Sequence, residues 1–253
     1  MTASIRSELL KIRTTRGWYG YLAVVVLLAG LAAAGDIGSS EDFRRSLVEF
    51  QVGLVDAGGI AALLAIILGI TVVTSEFRHG TITPTLLAAP LRERVVGAKA
   101  VATLLVSLVF TLLALVVIVA IALVWLSIID AELHFTDRDV LVRTAQVFLL
   151  SVLWGLLGVS IGTIVQSQVA ALVGTLIWIF LGETLLIGLF GLIDVGGVDF
   201  EGAADYLPFQ ALDAADGTTD ELLSYWKGVA VSLVWIAAIG AAGTERMRRR
   251  DIT

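Results

Sequence analysis

The sequence predicts an all-α integral membrane protein with six transmembrane helices and cytoplasmic termini. It also predicts an N-terminal interfacial amphipathic helix and a short cytoplasmic helix between spans 2 and 3. Three observations predict this class. Hydrophobic residues make up 58% of the 253 positions, well above the roughly 45–50% of soluble domains. Six apolar runs come close to or exceed the about 20 residues that a helix needs to cross a bilayer, and basic residues cluster between alternate runs.

The first 16 residues combine an apolar stripe with basic side chains. Ile5, Leu9 and Ile12 recur at near-helical spacing, and the basic residues lie on the other faces. This pattern predicts a helix on an anionic membrane surface, and a simple charged anchor for the first span is the alternative. A basic start and an apolar run that ends in the alanines 32–34 also resemble a signal peptide. Because the run is long enough to span, we expect it to be retained.

The six predicted spans belong to a single transmembrane domain over residues 1–253. Trp18, Tyr19 and Tyr21 open the first span, where aromatic rings favour the membrane interface. The third run is longer than the bilayer is thick, so this helix should tilt or project from the membrane. The predicted spans cover residues 18–35, 52–74, 100–129, 145–165, 169–193 and 225–243.

The distribution of basic residues predicts the orientation. With both termini in the cytoplasm, 12 of the 17 lysines and arginines lie on the inner side. The positive-inside rule favours this arrangement, and we expect a multi-pass protein of a bacterial plasma membrane. The 12 residues are Arg6, Lys11, Arg13, Arg16, Arg78, Arg92, Arg94, Lys99, Arg246, Arg248, Arg249 and Arg250.

The segment from 75 to 99 differs from an ordinary connection between spans. Thr83-Pro84 predicts an N-cap followed by proline at the first helical position, and Ala89-Pro90 predicts the end of a short helix. Ile82 and Leu86-Leu87 would expose an apolar surface to water, which normally marks a partner site. The pattern predicts a docking loop, and the alternative is a solvated connector that carries the charges that set topology.

The same segment contains a set of residues with a known counterpart. The set is an acidic residue, a basic residue, Gly-Thr, a leucine pair, a proline, an arginine and a lysine that opens the next span. Its members are Glu76, Arg78, Gly80, Thr81, Leu86, Leu87, Pro90, Arg94 and Lys99. This set resembles the region between the second and third spans of ABC-2 type transporter permeases. The six spans, the basic amphipathic N-terminus and the acidic loop before the last span resemble that family too.

The resemblance implies a function and its partners. It implies a transmembrane subunit of an ATP-driven exporter, with a coupling helix in the 75–99 segment that sits in a cleft of a separate ATPase subunit. Two permease chains, expected to form a homodimer, would work with two ATPase subunits that hold ATP and Mg. Multidrug efflux is among the activities implied. Neither a nucleic acid partner nor a bound metal is expected.

Sequence motifs place the hydrolysis of ATP outside this chain. No GxxxxGK[ST] phosphate loop occurs in the 253 residues, so we expect no enzymatic activity and no cofactor in the chain itself. The chain has no cysteine, which excludes disulfides and thiol chemistry. His79 and His134 are predicted on opposite sides of the membrane and form no paired metal site.

Glu183 is the one ionisable residue predicted well inside a span. A carboxyl group at that depth is costly and usually faces a cavity or a partner. It is therefore a candidate for the substrate path or a proton-responsive group, and the alternative is a structural group, protonated or hydrogen-bonded, near the outer leaflet. Two other functions follow: a proton-coupled secondary transporter using Glu183, and a non-catalytic membrane scaffold.

Two further patterns predict packing. Gly155, Gly158 and Gly162 in the fourth span have the small-residue spacing that suits close contact between helices. The apolar islet 206–209, Tyr-Leu-Pro-Phe, is predicted to be a wedge at the membrane interface before the last span.

Overall fold

Long apolar helices dominate the computed structural model. It describes residues 2–40, 47–83, 85, 91–130, 132–190, 192, 194–195, 198–199, 201–218 and 223–249. The helices are α1 (Thr2–Thr14), α2 (Arg16–Ser39), α3 (Val48–Asp56), α4 (Ile60–Arg78), α5 (Arg92–Ile128), α6 (Arg138–Val165), α7 (Gln168–Ile177), α8 (Glu183–Phe190), α9 (Pro208–Ala214) and α10 (Tyr225–Arg249). Short 3₁₀ segments cover Ala57–Gly59 and Glu201–Tyr206, and a π-helix covers Trp178–Gly182.

Six helical stretches in the described part of the chain are long and apolar enough to cross a membrane, as the sequence predicts. These spans 1 to 6 cover Gly17–Ser39, Val48–Arg78, Arg92–Ile128, Arg138–Val165, Gln168–Phe190 and Tyr225–Arg249. Most of the helices extend beyond the predicted runs, because hydropathy marks the stretch that suits lipid and backbone hydrogen bonds continue into polar sequence.

The all-α prediction is confirmed, and one short pair of strands accompanies the helices in the described part of the chain. A short antiparallel pair joins β1 (Asp194–Val195) to β2 (Val198–Asp199), with Asp194 opposite Asp199 and Val195 opposite Val198. The pair follows span 5, in a stretch that the sequence predicts only as a polar connection.

The predicted N-terminal helix is confirmed as α1. Glu8 and Ile12 are buried, whereas Leu10 is exposed. Lys11 Nζ donates to Glu8 Oε1 at 2.6 Å, one turn away on the same helix. The helix therefore has a buried and an exposed face, and its location on a membrane surface stays a prediction.

The helices divide into two compact units. Unit 1 contains Met1–Ala65 and Val101–Gly155, and unit 2 contains Ile66–Ala100 and Leu156–Thr253. Each of spans 2, 3 and 4 has one part in unit 1 and the other part in unit 2.

Unit 1 contains an apolar cluster and several polar contacts near one end. A buried cluster is formed by Val55, Leu115, Val140 and Val147. The side-chain amide of Gln51 donates to the carbonyl of Glu132 and accepts from the backbone N–H of His134, at 2.7 Å in both cases. Arg143 pairs with Asp56. These bonds satisfy polar groups of spans 2 and 4 and of the loop before span 4.

Unit 2 has a glycine-lined contact between spans 2 and 4, here named the glycine seam and formed by Gly158 and Gly162. A Cβ atom on Gly158 would lie 2.9 Å from Ile66 Cα, and one on Gly162 would lie 3.0 Å from Val73 Cβ. The backbones approach this closely because glycine has no side chain. Predicted close packing is thus confirmed at both positions, and Gly155, in unit 1, similarly faces Thr103.

Candidate functional site

A buried ion pair joins the ends of spans 2 and 3 in unit 2. Lys99 Nζ lies 2.9 Å from Glu76 Oε1 and also donates to the carbonyl of Val72 at 3.1 Å. Lys99 is 2% exposed and Glu76 5%. The sequence predicts both residues as part of one site, and the structure brings them together across 23 positions of the chain.

The Gly-Thr pair after Glu76 terminates span 2. Gly80 has a positive φ of 66°, its N–H donates to Phe77 O at 3.4 Å, and the Thr81 N–H donates to Glu76 O at 2.9 Å. These two bonds form a Schellman motif, which satisfies carbonyl groups at a helix end and favours glycine at the left-handed position. Gly80 and Thr81 therefore fix the direction in which the chain leaves span 2.

A helical turn follows immediately. Ile82, Thr83 and Thr85 have helical backbone, and the Thr85 N–H donates to Thr81 O at 3.3 Å. The prediction of Thr83 as N-cap is therefore wrong, because Thr81 accepts the first helical bond and Thr83 already lies within the turn. The predicted site residues Leu86, Leu87 and Pro90 lie outside the described residues, as does Pro84.

Arginines at the same end of unit 2 hold the turn between spans 4 and 5. Arg78 Nη1 donates to Gln168 Oε1 at 3.1 Å, and Arg246 Nη1 donates to Ile164 O at 2.7 Å. Arg94 is exposed. We name this end of unit 2 the basic end, defined by Arg78, Arg92, Arg94, Arg246, Arg248 and Arg249.

Glu183 lies toward the other end of span 5. It is 15 residues from Gln168, or about 22 Å along a helix. The carboxylate is 2% exposed. Oε1 accepts from the N–H of Phe209 at 2.9 Å and from Trp178 Nε1 at 3.1 Å, and Oε2 accepts from the N–H of Gln210 at 3.1 Å. The structure therefore surrounds this carboxylate with donors.

Two of these donors belong to the first turn of α9, a helix that has no cap of its own. Leu207 occupies the N-cap position and makes no side-chain capping bond, and Pro208 follows it. Proline has no N–H, so the amides of Phe209 and Gln210 are the first donors in need of an acceptor. Glu183 accepts from both, and so caps α9 from another helix.

The π-helix that precedes Glu183 brings the third donor into place. Trp178 is five residues before Glu183, one π-turn away. Gly182 lies against the indole, and a Cβ atom there would be 2.8 Å from Trp178 Cε3. π-helical turns are rare and are frequent at functional sites. Here the turn and the glycine let the indole reach the carboxylate.

Span 6 also contacts α9 and the residues just before it. A Cβ atom on Gly228 would lie 2.8 Å from Ala214 Cβ, and Trp235 Nε1 donates to Tyr206 O at 2.8 Å. The predicted wedge 206–209 is therefore attached to both spans 5 and 6, through Glu183 and Trp235. Its depth in a membrane stays a prediction.

A second carboxylate lies near this cluster. Desolvation by surrounding protein atoms, together with the negative charges of Glu183 and Asp216, raises the pKa of Asp213 to about 6. Asp213 nevertheless remains exposed by surface area, so water screens much of this repulsion.

Sequence reasoning found Glu183 but not its partners. The available signal was local: an apolar residue before proline at the start of a short helix, without a Ser, Thr, Asp or Asn cap. Such a helix needs an acceptor from elsewhere, and the only carboxyl predicted well inside a span is the natural candidate.

Neither cluster has the composition of a metal centre. Within the described ranges, no group of three or more His, Cys, Asp or Glu residues could hold a metal ion.

No curated protein matches the chain. The family model described as "Protein of unknown function (DUF2705)" matches residues 38–253, and the chain, a multi-pass membrane protein, therefore belongs to this family.

Proposed function

We propose that the protein is the transmembrane subunit of an ATP-driven exporter of the ABC-2 type, which forms the translocation pathway and receives energy from a separate ATPase. The carrying observation is the buried Glu76–Lys99 pair at the base of the connection between spans 2 and 3. The six spans and the resemblance of the 75–99 segment to ABC-2 permeases support the same proposal.

The contacts at this base suit the transmission of force. An ion pair away from water resists separation, because a lone buried charge costs several kcal/mol. Lys99 also donates a hydrogen bond to Val72 O, one turn before Glu76. These contacts connect the ends of spans 2 and 3. The Schellman motif at Gly80 fixes the exit of the chain. Displacement of the connection would therefore move spans 2 and 3 together.

In this proposal the basic end faces the cytoplasm and the connection docks in a cleft of the ATPase. Glu76 and Lys99 join the spans, Gly80 and Thr81 direct the chain, and Arg78 and Arg94 lie at the surface that meets the partner. Two ATPase subunits, each binding ATP and Mg, act on two copies of this chain. The protein works in the plasma membrane of a bacterium.

Site-specific cross-linking tests the partner. Because the chain has no cysteine, a single cysteine in the Thr81→Cys variant can carry a photo-reactive group when the protein is expressed in its native host. We expect an adduct with a protein that contains a phosphate loop. Ser127→Cys is the matched control, since Ser127 is also exposed and lies at the opposite end of span 3. Equal labelling from both positions, or no ATPase adduct from Thr81→Cys, contradicts the proposal.

The two alternatives from the sequence make different predictions. A proton-coupled transporter using Glu183 would move substrate in vesicles that lack ATP, driven by a proton gradient. A non-catalytic scaffold would neither move substrate nor stimulate an ATPase. Both alternatives stay predictions. Transport without ATP would distinguish the proton-coupled transporter from the exporter, and stimulation of the ATPase would distinguish the exporter from the scaffold.

A further inference from the structure

Glu183, Trp178 and the first turn of α9 form a cluster, here named the Glu183 cluster. Neither the exporter proposal nor the family membership assigns it a role. One carboxylate uses both oxygens to accept from consecutive amides of α9 and from the indole of Trp178. All three groups are donors, and α9 directs the positive end of its backbone dipoles at Glu183. The arrangement matches a negative charge rather than a neutral group.

We propose that Glu183 is a charge-dependent latch that docks α9 on span 5 and, through α9, joins spans 5 and 6 at this end of unit 2. The inference concerns the conformation of the chain and does not rest on the proposed transport function.

The charge is necessary because of the chemistry of the acceptor. An ionised carboxylate only accepts hydrogen bonds, whereas glutamine offers one accepting oxygen and one donating NH₂ group. In Glu183→Gln, the NH₂ group would face one of the two amide N–H groups of α9. That amide would lose its acceptor, and the remaining bonds would lose their charge assistance.

The link to span 6 follows from the second set of contacts. Trp235 holds Tyr206 O, just before α9, and Gly228 lies against Ala214 and Ala215 at its end. While Glu183 holds the start of α9, spans 5 and 6 share one rigid connector. When the latch opens, α9 loses its hydrogen bonds to span 5 and keeps its contacts with span 6, so the two spans can move more independently.

Hydrogen exchange of the full-length protein in nanodiscs tests the latch. Peptides that cover residues 208–215 report on α9, and peptides from span 4 provide an internal reference. In Glu183→Gln we expect exchange of α9 amides to accelerate about tenfold or more, the loss expected for charge-assisted bonds. Thr184→Ala is the matched control, because Thr184 is the next residue, is exposed and bonds only its own helix at Phe180 O. We expect this variant to leave α9 unchanged.

A second variant separates the latch from a general loss of stability. Leu207→Asp gives α9 a carboxylate at its own N-cap, where it can accept from the same amides. Added to Glu183→Gln, it should restore protection of α9, or restore folding if Glu183→Gln fails to fold. Unchanged α9 exchange in Glu183→Gln, or a double variant no better than Glu183→Gln, overturns the proposal.

Discussion

At the scale of single residues, two of the buried ionisable side chains of unit 2 are stabilised in different ways. Lys99 has a carboxylate and a carbonyl as partners, whereas Glu183 has three N–H donors. Burial of a charge without such partners costs far more than a single hydrogen bond contributes. Both side chains are therefore tied to their surroundings, and removal of one partner should have a large effect.

The Glu76–Lys99 pair provides the first stability prediction. Lys99→Met should lower the free energy of unfolding by about 3–5 kcal/mol, because the Glu76 carboxylate then stays buried without Lys99. The double variant Lys99→Met, Glu76→Leu should lose much less, since no buried charge remains. Thermal unfolding of the purified protein in detergent measures both.

An exposed ion pair at the same end provides the control for this comparison. Arg248 lies 3.7 Å from Glu93, and both side chains are exposed. Arg248→Met should cost at most about 1 kcal/mol. A loss in Lys99→Met no larger than that in Arg248→Met would show that burial does not strengthen the Glu76–Lys99 contact.

At the scale of elements, the sequence predicts the helices better than their irregularities. The spans follow from apolar length, and the small-residue spacing correctly identifies the glycine seam. The π-helix at Trp178–Gly182 and the true start of the turn at Thr81 are not visible in periodicity, because each depends on a few specific hydrogen bonds. Most spans also extend beyond the predicted runs, because hydropathy marks only the stretch that suits lipid.

The glycine seam yields a prediction with a matched control. Gly158→Ala should destabilise the protein by about 1–3 kcal/mol, because the added methyl group meets the backbone of Ile66 and forces spans 2 and 4 apart. Gly174→Ala makes the same chemical change in span 5, where nothing lies within 4 Å of the new Cβ. It should be neutral or slightly stabilising, since alanine favours helix. Unfolding midpoints compare the two, and equal midpoints would contradict close packing at the seam.

At the scale of the whole molecule, properties that follow from composition can be predicted from the sequence, whereas contacts between residues far apart in the chain cannot. Composition alone identifies a multi-pass membrane protein, and only the resemblance of the 75–99 segment to ABC-2 permeases groups Glu76 with Lys99. The capping of α9 by Glu183 joins residues 26 positions apart. The hydrogen bond from Arg246 to Ile164 O joins residues 82 positions apart. Such pairs depend on how helices pack, which hydropathy does not encode.

Orientation is the molecule-wide property on which the exporter proposal depends. Lysines and arginines are retained on the cytoplasmic side during insertion, and the basic end holds six arginines of unit 2 in the described chain. Thr81, beside them, should therefore be cytoplasmic, and Leu133, in the loop before span 4, should be outside. Both residues are exposed, so single-cysteine variants can be labelled with a membrane-impermeant maleimide. In intact cells we expect label on Leu133→Cys alone, and in permeabilised cells on both variants. Label on Thr81→Cys in intact cells would show that the basic end faces the outside. No ATPase could then reach the connection between spans 2 and 3, and the exporter proposal would be wrong.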